Sequence, residues 1–198
     1  MSTLGLQQSL DGKVVNVEPL TEIFDFSTWL VEGEFAEFYT DGLSTLLITL
    51  PKYFRTLRNA YERTIRWRKH LDAVRALREL GLLSDFETAK YIFSKLLRPG
   101  TNDFSIMVVE ARGELNGDKA IVRFEGVDYA QGGFTSMARL TGFTAAIVAD
   151  LVAKGEIKGE GLTPIEEAYM RNKSILNQVI NALRKENIKI YKTKTMIE

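Results

Sequence analysis

The strongest chemical signal in this sequence is a run of basic side chains between residues 52 and 78. Nine lysines and arginines stand there against two acidic residues, a local net charge of +7. The nine are Lys52, Arg55, Arg58, Arg63, Arg66, Arg68, Lys69, Arg75 and Arg78. Because a guanidinium binds a carboxylate or phosphate through two parallel hydrogen bonds, the segment predicts an anion-binding site. A solvated helix face and surface strand are the structural alternative.

Aromatic residues interleave with these arginines, a pattern that also occurs in proteins that bind nucleic acids. They are Tyr53, Phe54, Tyr61 and Trp67. The whole chain nevertheless carries 26 basic and 26 acidic residues, so its formal net charge is zero. Since nucleic-acid-binding domains usually carry a clear excess of positive charge, we expect no nucleic acid among the partners.

Two predicted helix starts offer backbone N–H groups that an anion can bind. The first is Thr40-Asp41-Gly42, which precedes an apolar helical pattern. The second is Thr135-Ser136, which follows a Gly-Gly loop and adds two hydroxyls. The structural alternative in both places is an ordinary helix cap.

Arg139 and His70 are the other candidates. Arg139 lies one turn into a helix rich in Ala and Gly that is predicted to be buried. A buried guanidinium needs a partner, which is either a structural carboxylate or a ligand. His70 is the single histidine and stands beside the arginines. A lone histidine more often packs or caps than catalyses, so no catalytic residue is assigned.

The composition excludes several classes of site. The chain has no cysteine, which excludes disulfides, thiolate metal sites and a cysteine nucleophile. One histidine disfavours zinc and non-haem iron, so no metal site is expected. The glycine-rich motifs of dinucleotide and mononucleotide sites, the G-x-S-x-G elbow and H-E-x-x-H do not occur. We therefore expect no nucleotide cofactor bound by this chain.

The sequence also indicates a cytoplasmic protein with no membrane partner. No apolar run approaches the roughly 20 residues of a membrane span. The first twelve residues lack the basic and apolar regions of a signal peptide.

The elements of the first half alternate between short strands and amphipathic helices. Strands are predicted at Lys13 to Glu18, closed by Pro19, at Glu34 to Tyr39, and at Tyr61 to Arg66. A first helix is predicted from Leu43 to Leu50 and ends at Pro51. A second is predicted from Lys69 to Leu80 and ends at Gly81. A third begins after Ser84-Asp85 and ends at Arg98-Pro99-Gly100. Residues 19–34 read as irregular. Apolar spacing predicts that Leu71, Val74, Leu77 and Leu80 of one helix are buried, and Ala89, Ile92, Phe93, Leu96 and Leu97 of the next.

The second half begins with a hairpin, residues 104–115 and 118–130 around Asn116-Gly117, the preferred type I′ turn. Its first strand is apolar on both faces, with Ile106 and Val108 on one side and Met107 and Val109 on the other. A strand of this kind lies between two layers, so we expect helices on one face and a second sheet or a partner subunit on the other.

Two more helices and a strand complete the chain. The first helix runs from about Thr135 to Lys154, stopped by Gly155, with small residues on one flank and Met137, Leu140, Ile147, Val148 and Leu151 on the other. The last lies within Pro164 to Glu186 and is predicted to bury Ile175, Leu176, Val179, Ile180 and Leu183, and a short strand follows at Asn187 to Tyr191. This order predicts an α+β fold, a single domain over residues 1–198 whose largely antiparallel sheet is covered by helices on one face.

Three segments together resemble the C-terminal domain of saccharopine dehydrogenase-like oxidoreductases. They are FYTDGLSTLL (residues 38–47), RTIRWRKHLDAVRALREL (63–80) and FTSMARLTGFTAA (134–146). The third is similar to the family's T-S-M-A-R-T-T-G-F/Y-P run and departs from it at Leu140 and Thr144. The second is similar to K-T-L-R-Y-P-G-H, with Trp67, Arg68 and Lys69 at the Tyr, Pro and Gly, and with His70 retained.

The resemblance implies a fold like the C-terminal domains of glyceraldehyde-3-phosphate dehydrogenase and dihydrodipicolinate reductase. In this family a Rossmann domain binds NAD(P), and the second domain contributes substrate contacts and a dimer interface. The reaction is hydride transfer between a nicotinamide and a secondary amine or imine that links two amino acids, in lysine metabolism. The chain resembles the second domain alone, so a Rossmann domain is expected in cis or in trans, and a homodimer is expected.

The resemblance also implies which residues contact a polycarboxylate substrate. Arg66 stands at the family's arginine and would bind one carboxylate, and Thr135 with Ser136 would hold another at the helix start. Arg139, Asp41 and His70 complete the predicted set, with Asp41 either capping its helix or orienting an amine. A stand-alone amino-acid- or anion-binding protein without catalysis is the alternative function.

Overall fold

The structure is a computed structural model that describes residues 6–96 and 100–197. The chain divides into two compact units, Met1–Arg98 and Pro99–Glu198. In the described residues eight strands pair antiparallel in three sheets, and six helices accompany them. The α+β class is confirmed. The expectation of one sheet is wrong, because local strand patterns do not reveal which strands pair.

The first unit begins with a hairpin of β1 (Leu6–Leu10) and β2 (Lys13–Val17). Its turn residues Asp11 and Gly12 have φ of 48° and 76°, the left-handed backbone that a two-residue hairpin turn requires. The sequence predicted β2 but not its partner.

The second sheet of this unit has β4 (Phe35–Tyr39) between β3 (Phe24–Phe26) and β5 (Arg63–Trp67). The central strand buries Phe35, Ala36 and Tyr39. Strand β3 lies in the region predicted to be irregular, because three residues are too few to show an alternating pattern.

Helix α1 (Leu46–Tyr53) differs from its prediction at both ends. It begins three residues after Leu43, which is buried in front of it. The N-cap is Thr45, not the Thr40-Asp41-Gly42 segment, and Thr45 makes no side-chain capping bond. Pro51 lies inside the helix, where its missing N–H removes only one hydrogen bond from the last turn.

Helices α2 (Arg68–Glu79) and α3 (Phe86–Leu96) follow. Gly81 has φ of 76° and ends α2 as predicted. Asp85 caps α3 by accepting hydrogen bonds from the backbone N–H groups of Glu87 and Thr88. Two predicted core residues, Leu80 and Ile92, are exposed instead, because each helix packs along a narrower stripe than its apolar pattern suggested. Residues 97–99, which hold the predicted helix end and Leu97, lie outside the described residues.

The second unit is built on the predicted hairpin. Strands β6 (Phe104–Leu115) and β7 (Asp118–Tyr129) pair along their full length around Asn116 and Gly117, whose φ values are 58° and 93°. Strand β8 (Lys189–Ile197) pairs with the other edge of β7 and is longer than predicted.

Three helices accompany this sheet: α4 (Ser136–Ala153), α5 (Ile165–Arg171) and α6 (Ser174–Lys185). The single last helix expected from the sequence is thus two helices. The buried cluster of Leu183, Ile188 and Ile190 packs against Phe124 of β7, Leu140 and Phe143 of α4, and Val179 of α6, so α4 and α6 lie over part of one face of the sheet. Met107 and Val109 share this face, and Ile106 and Val108 lie on the opposite one. Leu176, predicted to be buried, is exposed, and so is Met137 of the apolar flank of α4.

Helix α4 is the one segment of the described chain that is long and apolar enough to cross a membrane by length and composition, with 18 residues and a mean hydropathy of 1.3. Core helices of globular proteins pass the same test, and α4 contains the buried, charged Arg139. The finding is weak evidence for a membrane span.

Candidate functional site

The six residues predicted to contact substrate are divided between the two units. Asp41, Arg66 and His70 lie in the first unit, and Thr135, Ser136 and Arg139 lie in the second. The two groups are therefore described one at a time.

Arg66 lies on strand β5 opposite Ala36 and is exposed. Its guanidinium donates a hydrogen bond to the carbonyl oxygen of Ile65 at 2.8 Å. Four arginines around it in sequence are bound to carboxylates: Arg63 to Glu37, Arg68 to Asp25 and Asp72, Arg75 to Glu79, and Arg78 to Glu18. In the described part of the chain Arg66 forms no such ion pair, so its guanidinium is available to an external carboxylate.

Asp41 lies in a loop that a partly buried polar network holds in place. Gln8 is fully buried; its Nε2 donates to the Thr40 carbonyl at 2.7 Å, and its Oε1 accepts the Glu62 N–H at 2.9 Å. The Glu62 carboxylate accepts hydrogen bonds from the hydroxyls of Thr40 and Thr64. This network fixes the backbone on which Asp41 is exposed.

Gly42 completes the network sterically. A Cβ at this position would lie 2.7 Å from the Cδ and Cγ of Glu62, closer than side chains pack. Only glycine allows the loop to approach Glu62 so closely. The expectation that Asp41 caps a helix is wrong, because α1 begins at Leu46, beyond this loop.

His70 is an exposed residue in the first turn of α2. A substrate contact by His70 stays a prediction.

The start of α4 is already bound by a carboxylate of the same unit. Asp103 accepts the backbone N–H of Ser136 at 2.6 Å and that of Met137 at 3.1 Å. The Thr135 hydroxyl accepts the N–H of Ala138, which confirms the cap alternative for this residue. Asp103 accepts hydrogen bonds from the amides that were expected to bind a ligand, so a substrate carboxylate would have to displace the Asp103 carboxylate.

Ser136 and Arg139 are buried and bound to strand β7. The Ser136 hydroxyl donates to the Asp128 carbonyl at 3.1 Å. The Arg139 guanidinium binds the Asp128 carboxylate through two parallel hydrogen bonds, Nε to Oδ2 at 3.0 Å and Nη2 to Oδ1 at 3.1 Å. Arg139 also donates to the Glu186 carbonyl at 2.6 Å. Of the two partners left open by the sequence, the structural carboxylate is the one observed.

Sequence reasoning missed the aromatic surroundings of Arg63. Its guanidinium carbon lies 3.8 Å from the ring centre of Phe24, 4.6 Å from that of Tyr39 and 4.7 Å from that of Tyr61. Burial acts to lower the pKa of Arg63, but hydrogen bonds to Tyr39 and Glu37 outweigh it and raise the pKa. Arg63 thus stabilises the first unit, and the cationic segment is only partly available to ligands.

Sequence reasoning also missed Asp103 and Asp128. Asp128 left no distinct signal, because Arg123 and Glu125 are also charged residues of strand β7. Asp103 left none, because its partners lie 33 and 34 residues further along the chain. Within residues 6–96 and 100–197, no group of three His, Cys, Asp or Glu side chains is close enough to hold a metal ion.

Comparison with protein families gives a match over most of the chain. The family model of the saccharopine dehydrogenase C-terminal domain matches residues 8–188. The matched range includes all six predicted contact residues and spans both units.

Proposed function

Because the chain belongs to the family of saccharopine dehydrogenase C-terminal domains, we propose that it is the substrate-binding and dimerisation domain of an NAD(P)-dependent oxidoreductase. The reaction is hydride transfer between a nicotinamide and a secondary amine or imine that links two amino acids. The substrate is an adduct with several carboxylates, and this chain contributes the groups that bind them.

The observation that supports the proposal is the lack of an ion pair at Arg66 within the described residues. Arg66 stands at the family's arginine in a segment whose neighbouring arginines are neutralised by carboxylates, and within the described ranges its own guanidinium is bound only to the carbonyl oxygen of Ile65. An exposed, uncompensated guanidinium on a strand is suited to bind a carboxylate through two hydrogen bonds. In this proposal Arg66 binds one carboxylate of the adduct, and the loop of Asp41 contacts its amine.

The residues of this chain do not fit a dinucleotide. The sequence contains no G-x-G-x-x-G, and the N-terminal amides of α4 are bound to Asp103. We therefore assign the nicotinamide to a Rossmann domain in cis or in trans, and we propose no reaction step through it here.

The test is a calorimetric titration of the full chain with saccharopine. Arg66→Gln is expected to weaken binding by about tenfold or more, the scale of a lost charge-assisted hydrogen bond. Arg75→Gln is the matched control, because Arg75 is also exposed but already bound to Glu79. Arg66→Lys keeps the charge and loses the two-pronged geometry, so an intermediate affinity is expected.

Three results would contradict the proposal. Equal affinity of Arg66→Gln and the unchanged chain, or no saturable binding of saccharopine at millimolar concentration, would remove the substrate assignment. Micromolar binding of NADPH by this chain would contradict the assignment of the nicotinamide to a separate Rossmann domain.

A further inference from the structure

An open cleft of about 650 Å³ lies within the second unit, where strand β7 continues past the beginning of β8. Its walls are the end of β7, the first residues of β8 and Arg184 of α6. Cavities of this volume are the size that small-molecule ligands occupy.

One wall of the cleft is a free strand edge. In an antiparallel ladder the backbone groups of successive residues point alternately to the two neighbouring strands. Ala130 donates its N–H to Asp103 on the β6 side, so the N–H and C=O of Tyr129 point to the β8 side. The last β7–β8 pair is Val127 with Lys189, which leaves Tyr129 two residues beyond the ladder.

The residue opposite Tyr129 does not continue the strand. Asn187 has a left-handed backbone with φ of 62° and donates its own N–H to the carbonyl of Arg184 at 3.1 Å. Within the described residues, no backbone hydrogen bond therefore joins Tyr129 to the β8 side. Its N–H and C=O are a donor and an acceptor side by side at the cleft.

The charges around the cleft favour an anion. Arg184 is held by two hydrogen bonds from Nε and Nη2 to the carbonyl oxygen of Ile190, at 3.2 and 2.6 Å. Lys189 is exposed and forms no ion pair within the described residues. The acid that lines the cleft, Asp128, is neutralised by Arg139.

We propose that this cleft binds the main-chain atoms of a free α-amino acid as a short extension of the sheet. The Tyr129 N–H donates to the ligand carboxylate, and the Tyr129 carbonyl accepts from the ligand ammonium group, as in strand addition at a sheet edge. Lys189 and Arg184 provide the positive charge that holds the carboxylate. The inference goes beyond the proposed function and uses none of the residues on which that function rests.

The experiment is a titration of the full, isotope-labelled chain followed by backbone amide resonances, with L-glutamate as the probe. Saturable shifts are expected at Tyr129, Lys189 and Ile190. 4-Aminobutyrate, which is glutamate without its α-carboxylate, is expected to bind at least about tenfold more weakly. Lys189→Met is expected to weaken glutamate binding by a similar factor. Lys185→Met is the matched control, because Lys185 is an exposed lysine of α6 that does not line the cleft.

Four outcomes would overturn the inference. The first is the absence of saturable shifts at these amides, and the second is equal binding of glutamate and 4-aminobutyrate. The third is binding of inorganic phosphate as strong as that of glutamate, because a general anion site needs no ammonium acceptor. Shifts confined to residues around Arg66 would overturn this inference while supporting the proposed function.

Discussion

Asp128 and Arg139 tie the central strand of the second unit to its longest helix. Their side chains are 3% and 6% exposed, so neither charge can be solvated by water if the other is removed. The sequence identified Arg139 because a guanidinium is unusual in a small-residue helix. It could not choose between a ligand and a structural carboxylate, because the partner lies on another element, eleven residues away.

Breaking this pair is expected to be costly. Asp128→Asn and Arg139→Met should each lower the free energy of unfolding by about 3–5 kcal/mol, because each leaves a buried charge without its partner. The double variant should lose less than the sum of the two, since it leaves no uncompensated charge. Chemical denaturation of the four proteins measures these differences.

Asp150→Asn is the control on the same helix. Asp150 pairs with Lys154, and both side chains are more than half exposed, so a loss below about 1 kcal/mol is expected. Equal losses for Asp150→Asn and Asp128→Asn would show that burial does not govern the strength of these pairs.

At the scale of elements, the sequence predicted helices, strands and turns most accurately where a few neighbouring residues decide the backbone conformation. The hairpin at Asn116-Gly117, the caps Thr135 and Asp85, and the helix end at Gly81 all depend on a few neighbouring residues. The missed elements, β1 and β3, depend on pairing with distant partners. Strand β1 bonds to Ala60 as well as to β2, and no local pattern contains that information.

The ion pairs on the sheet of β6, β7 and β8 make its contribution to stability depend on pH. Glu110 lies opposite Arg123 and binds both Arg123 and Arg112, at 3.1 and 2.7 Å. Partial burial acts to raise the pKa of Glu110, but the hydrogen bonds to Arg112 and Arg123 outweigh it, and the pKa is lowered from 4.5. The stabilisation is therefore present above pH 4.5 and is lost as the pH falls through the lowered pKa.

Glu110→Gln is accordingly expected to destabilise the protein near neutral pH and to make much less difference in acid well below pH 4.5. Urea unfolding of both proteins at the two pH values gives the comparison. Glu114→Gln, on the same strand and without an ion pair in the described residues, is the matched control. A destabilisation by Glu110→Gln that is the same at both pH values would contradict the prediction.

At the scale of the whole molecule, the chain has two units, and the residues predicted to bind substrate are shared between them. Each of the two apolar clusters of the second unit is formed entirely within it. The exposed apolar side chains of its sheet include Met107, Val109 and Met196. These three side chains lie on the same face of the sheet, and a group of exposed apolar side chains is suited to an interaction surface.

The proposed homodimer is tested on this sheet. The full chain is expected to have the mass of a dimer by light scattering, and Val109→Asp should shift it toward the monomer, because a carboxylate in an apolar interface is costly. Leu82→Asp, an equally exposed apolar position in the first unit, should leave the dimer intact. A monomer at high micromolar concentration would contradict the proposal.

The sequence by itself determined the α+β class, the family, the hairpin and most helix boundaries, because turn chemistry, capping and apolar periodicity act over a few residues. It also singled out Arg66 and Arg139 as unusual. Only the tertiary structure separated them: Arg139 forms a buried ion pair with Asp128, and Arg66 has no carboxylate partner in the part of the chain that the structure describes. That difference depends on which residues distant in sequence become neighbours, so the same side-chain type is structural at one position and available to a ligand at the other.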